Sequence, residues 1–190
     1  MKEALIVIDV QNIYTDKESE LYVKGNSKII SNINKLITKF REDGKLIIFI
    51  KHQHSKELDD LGRMFDFAGP TNETQFIEGN IETEFDKRLK IRKKDIVVRK
   101  TRYDAFEKTN LEEILQINEI EKVSICGFMT NFCCETTARS AHGKDYFVDF
   151  IVDATGTPGT EKLTPKQTIK ATIATLESGF AIIKNTEEKL

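Results

Sequence analysis

Three side chains far apart in the sequence, Asp9, Lys100 and Cys133, have the chemistry of a thiol-dependent hydrolytic site. A thiol at neutral pH is mostly protonated. It becomes a nucleophile only with a base to take its proton or a positive charge to hold the thiolate. Lys100 can supply that charge. Asp9 can take the proton and return it to a leaving amine, the part histidine plays in other thiol enzymes. Cys133 falls at the start of a helical pattern running to His142, where unpaired amides and the helix dipole favour negative charge. The turn Gly127–Phe128–Met129–Thr130 comes just before it. The amides of Met129 and Cys133 are therefore candidates for an oxyanion hole, each donor worth about 2.7–4 kcal/mol. Cys134 points about 100° away around the helix, toward the core, and Cys126 lies inside a strand pattern, so both read as structural.

Singly, none of the three is diagnostic. A strand-end Asp commonly caps a turn, a Lys is commonly solvated, and a Cys commonly packs as a small hydrophobe. The elements around them supply the argument. Apolar, β-branched runs at Ala4–Asp9, Leu46–Ile50, Asp95–Arg99, Lys122–Cys126, Tyr146–Val152 and Phe180–Ile183 read as strands. Helical periods lie between them: Asn26 to Phe40, with Asn26 or Ser27 as cap; Leu111–Ile117, headed by Asn110; Phe132 to His142; and a helix opened by Pro165 and stopped by Gly179. Such alternation predicts a parallel α/β sheet covered on both faces. Ligands of such sheets sit beyond the carboxyl ends of the strands. The residues there are Asp9 and Gln11, His52 and His54, Lys100, Thr130 to Cys133, and Asp153. Residues 51–94 hold little pattern apart from a possible short helix at Glu82–Leu89, and read as a pocket wall.

Composition narrows the function class. With 29 basic and 31 acidic residues and a net charge of −2, the 190-residue chain lacks the field of a nucleic-acid binder. Its longest apolar runs are five residues, against about 20 for a membrane span. Three cysteines crowded within nine residues, with no C-x-x-C, and a first stretch that does not read as a secretory signal lead to the expectation of a cytoplasmic, reducing setting. The chain has no GxGxxG, P-loop or GxSxG motif, which removes the common dinucleotide, nucleotide and serine-hydrolase readings.

Three blocks then resemble the isochorismatase-like cysteine hydrolases, the superfamily of nicotinamidases and N-carbamoylsarcosine amidases. They are ALIVIDVQN; VVRKTRYDAF followed by Thr109-Asn110-Leu111; and GFMTNFCCETTARSAHGKDY. The resemblance covers nearly the whole chain as a single domain and is loosest over 51–94. It implies a three-layer α/β/α sandwich with a six-stranded, mostly parallel sheet in the order 3-2-1-4-5-6. It also implies an Asp9–Lys100–Cys133 triad and a cis peptide between Phe128 and Met129 that turns both amides inward. The cysteine, which true isochorismatases generally lack, implies C–N bond hydrolysis through an acyl-enzyme. The small substrate would be met by Gln11, Tyr103, Phe106, Phe128 and Phe132, and the chain would form a homodimer or homotetramer. Nicotinamidases of this superfamily hold a divalent ion with an Asp-x-His and further histidines. The matching stretch is Lys51-His52-Gln53-His54, and the remaining His142 lies on a distant helix. The expectation is no metal cofactor, with His52 and His54 lining the pocket and Glu57, Asp59 or Asp60 as the spare oxygen donors. Rival readings are a metal-dependent nicotinamidase, a vinyl-ether hydrolase using water, and a redox thiol module.

Overall fold

The structure is a computed structural model that describes residues 1–64 and 76–190. Its elements run β1 (Glu3–Ile8), α1 (Asn12–Thr15), α2 (Asn26–Glu42), β2 (Leu46–His52), β3 (Ile96–Lys100), α3 (Leu111–Ile117), β4 (Lys122–Phe128), α4 (Glu135–Gly143), β5 (Phe147–Gly156), α5 (Pro165–Glu177) and β6 (Ile182–Lys184). The six strands form one parallel sheet in the order β3-β2-β1-β4-β5-β6. Successive residues of a strand face opposite sides of its sheet, so a continuous apolar strand requires cover on both faces. In β1, Ala4, Ile6 and Ile8 pack with α3, α4 and α5, while Leu5 and Val7 pack with α1 and α2.

The strand order reverses between β1 and β4, where Ile8 lies opposite Gly127. The segments leaving these two strands are therefore neighbours, and this is where an open α/β sheet forms its crevice.

Several local expectations change. The helix expected at Glu82–Leu89 is absent. A single 3-10 turn, Ile81–Thr83, leads instead into an extended stretch in which Phe85 bridges Gln11 and the Asp86 amide donates to the Val10 carbonyl at 2.9 Å. Covering the end of β1 takes precedence over local helical period. Helix α2 is not capped by Asn26 or Ser27. Gly25, with φ +84°, is its N-cap, and the Asn26 amide turns back to the Val23 carbonyl at 2.9 Å. Strand β5 runs on to Gly156 through an irregularity in its pairing with β4, so that Gly127 meets Thr155. Strand β6 begins late, because the Phe180 and Ala181 amides still donate to the Leu176 carbonyl at the end of α5.

Candidate active site

Asp9 leaves β1 with a left-handed backbone, φ +48°, unusual for a residue with a side chain. Lys100 is the last residue of β3 and reaches across the end of β2. Its Nζ lies 2.9 Å from the Asp9 carboxylate, donates to the Cys133 sulfur at 3.2 Å and donates to the Arg102 carbonyl at 2.9 Å. Cys133 sits in a π-helical turn, Thr130–Cys134, that starts earlier than the expected helix and runs straight into α4. Such wide turns often occur at functional sites. The Phe128–Met129 peptide before it is cis. Thr130 Oγ1 donates to Thr155 Oγ1 at 2.9 Å, tying this turn to β5. The three side chains expected to act together do meet, and all are buried to 1% exposure or less.

Burial dominates their electrostatics. It pushes the Cys133 thiol up to about 12, with the Lys100 charge only partly opposing it. It also raises the Asp9 carboxyl above the usual carboxylate range, against the pull of Lys100. For Lys100, the adjoining Asp9 and Cys133 outweigh burial and keep the ammonium charged. The resting site is a protonated thiol beside an ion pair, with a base more avid for a proton than a surface aspartate.

His52 lies opposite Lys100 in the β2–β3 register. One of its ring nitrogens comes within 4.8 Å of both the Asp9 carboxylate and the Cys133 sulfur. The ring stacks on Phe76 at 4.1 Å. Its Nε2 is 3.1 Å from Nε2 of His54, and His54 Nδ1 is 3.0 Å from the Asp60 carboxylate. Asp60 also accepts from the Ser55 amide at 3.0 Å and from the Arg99 guanidinium. Burial, reinforced by the Lys100 charge, lowers the pKa of His52 well below its ordinary value. In His54 burial outweighs the opposing pull of Asp60. Both imidazoles are neutral.

The isochorismatase domain model matches residues 3–188. The chain belongs to the isochorismatase family. It is 31% identical to nicotinamidase 3 of Arabidopsis thaliana over 97% of this chain and 85% of that protein. It is 27% identical to a ureidoacrylate amidohydrolase of Yersinia enterocolitica over 97% of this chain and 86% of that one. A cysteine hydrolase structure from Pseudomonas syringae pv. phaseolicola superposes with a TM-score of 0.90 at 26% identity, covering 98% of this chain and 90% of the other.

The divalent ion that the resemblance to nicotinamidases raised needs three or more converging donors, and the donors among the described residues do not converge in that way. The two histidines face each other, and His54 turns its second nitrogen to Asp60. Among the described residues, no third donor joins that pair in a ligand-sized cluster. The cluster that does form, Asp9, His52 and Cys133, already holds the Lys100 ammonium against two of its members.

The expected substrate contacts divide. Tyr103 and Phe132 pair at 5.1 Å, are only partly buried, and pack beside the core that contains Cys133. Phe128 is turned into the core and stacks on Tyr14 at 5.6 Å, while Phe106 is buried against Tyr146. These two are corrected to packing residues. Gln11 is corrected as well. Its amide donates to the His52 and Thr83 carbonyls at 2.9 and 2.7 Å and accepts from the His52 amide at 2.9 Å, so both donor hydrogens serve the backbone. Gln11 positions His52. Asp153 accepts from Thr186 and Asn32 and anchors the C-terminal turn, and Arg139 pairs with Glu135 at 2.7 Å on α4. Sequence reasoning missed the His52–His54–Asp60 chain. Its signal was present in the spacing of His-x-His and an acid six residues on, but a hydrogen-bonded chain and a metal set look alike in one dimension.

Proposed function

We propose that this protein is a cysteine hydrolase that cleaves a C–N bond in a small amide, carbamoyl or ureido compound. The observation that carries the reading is the Lys100 ammonium, in contact with both the Asp9 carboxylate and the Cys133 sulfur. In the first half-reaction Asp9 takes the thiol proton and the sulfur attacks the carbonyl carbon. The amides of Met129 and Cys133 hold the oxyanion while Lys100 balances the negative charge passed between sulfur and carboxylate. Asp9 then gives its proton to the nitrogen, the C–N bond breaks and the amine leaves. Water, deprotonated by Asp9, attacks the thioester, releasing the acid and restoring the thiol. Three free, buried cysteines suit the reducing cytoplasm in which we place the protein.

The test is ammonia release from a panel of nicotinamide, carbamoyl and ureido compounds. Cys133→Ala is expected to abolish turnover while leaving the melting transition in place. Activity persisting in a folded Cys133→Ala protein would sink the cysteine mechanism.

A further inference from the structure

His52 Nδ1 is fully buried and has no hydrogen-bond partner among the described residues, although its ring lies beside the nucleophile. A buried nitrogen left bare calls for an explanation. The chain behind it supplies one. Asp60, bound by the Ser55 amide and the Arg99 guanidinium, is a carboxylate and accepts a proton bond from His54 Nδ1. A neutral His54 then carries no hydrogen on Nε2, so this atom accepts. The 3.1 Å contact between the two Nε2 atoms requires His52 Nε2 to be the donor. A neutral imidazole has only one N–H. Nδ1 of His52 is therefore an acceptor, held in place by the Gln11 clamp on its backbone and by the face of Phe76.

We infer that the Asp60–His54 pair fixes His52 with a bare Nδ1, and that this nitrogen selects substrates bearing an N–H beside the scissile carbonyl. The inference rests on the hydrolase reading for its substrate class and deepens it. An amide or ureido N–H would satisfy Nδ1, whereas an ester of the same shape would leave it buried and unpaired, a large handicap for a substrate. His52 is then a substrate-binding residue, and His54 and Asp60 are positioning residues.

The test uses nitrogen-15 histidine spectra, which three histidines keep simple. The free protein should show His52 with Nε2 protonated and Nδ1 bare. Added to the Cys133→Ala protein, benzamide, or acetamide if the pocket is narrow, should shift the Nδ1 signal upfield. The matching methyl ester should not. His54→Phe should move proton population onto His52 Nδ1, and His54→Gln, whose amide oxygen can accept, should restore the original tautomer. A protonated Nδ1 in the free protein, no shift with either amide, or equal shifts with amide and ester would overturn the inference. Because binding is read without turnover, such a failure leaves the hydrolase reading standing. A failed ammonia-release test, conversely, leaves the tautomer assignment standing.

Discussion

At the scale of residues, the site depends on a buried charge pair that each partner makes tolerable for the other. Removing Lys100 leaves the Asp9 carboxylate desolvated and alone, and breaking a buried pair in this way costs about 3–5 kcal/mol. Lys100→Met should therefore lower the melting temperature and also abolish turnover, whereas Cys133→Ala should abolish turnover alone. Calorimetry beside the ammonia assay separates the two. The pH profile follows from the raised Asp9 carboxyl. Since Asp9 must be unprotonated to take the thiol proton, kcat/KM should fall on the acid side with an apparent midpoint above the ordinary 3.8, a value belonging to the coupled site as a whole. A midpoint at or below that value would remove Asp9 as the base. The meeting of Asp9, Lys100 and Cys133 was legible because the sequence places each at the end of a strand pattern or the start of a helical one, and these positions can be counted from apolar runs. The direction of Gln11 was misread for a physical reason. The left-handed backbone at Asp9 breaks the alternation of side chains, so which way Gln11 points cannot be counted from β1.

At the scale of elements, the turn that carries Cys133 depends on how closely β4 approaches β1. Gly127 has φ +122°, and a Cβ there would lie 1.9 Å from the Ile8 carbonyl oxygen, in the strand just before Asp9. Gly127→Ala must push β1 and β4 apart or unfold the turn. It should destabilise the protein by about 4 kcal/mol or more, well above the usual 0.5–3 for point substitutions. Denaturant unfolding measures this, and a variant within 1 kcal/mol of the parent would show that the approach is not required. The parallel α/β layering was readable because runs of hydrophobic residues of strand and helix length alternate, whereas the strand order came only with the resemblance to the family. The irregular β5 pairing and the stretch around Phe85 that bridges Gln11 were not. Both are set by what a neighbouring strand needs covered or paired, and local sequence does not record that.

At the scale of the whole molecule, the end of the sheet opposite the site is closed by a network of charges. Glu3 meets Lys45 at 2.9 Å, accepts from Ser124 at 2.7 Å and pairs with Lys189. Asp149 meets Lys122 at 2.7 Å and Lys189 at 2.9 Å. Lys189, in the C-terminal turn Thr186–Lys189, thus joins the first strand to the fifth. Burial alone would raise the Glu3 carboxyl, but its bonds to Lys189, Ser124 and Lys45 prevail and hold it at about 2, down from an ordinary 4.5. A carboxyl whose pKa is depressed by folding stabilises the native state above its unfolded value, and that contribution disappears as pH falls through the folded one. Between about pH 4.5 and 2, Glu3 should therefore withdraw on the order of 2–3 kcal/mol of stability. Glu3→Gln should lower the melting temperature at neutral pH and flatten its decline across that interval. Lys189→Met, which removes the shared cation, should do the same in part. If the variant and parent melting curves stay parallel down to pH 2, the network is not what holds this end of the sheet closed.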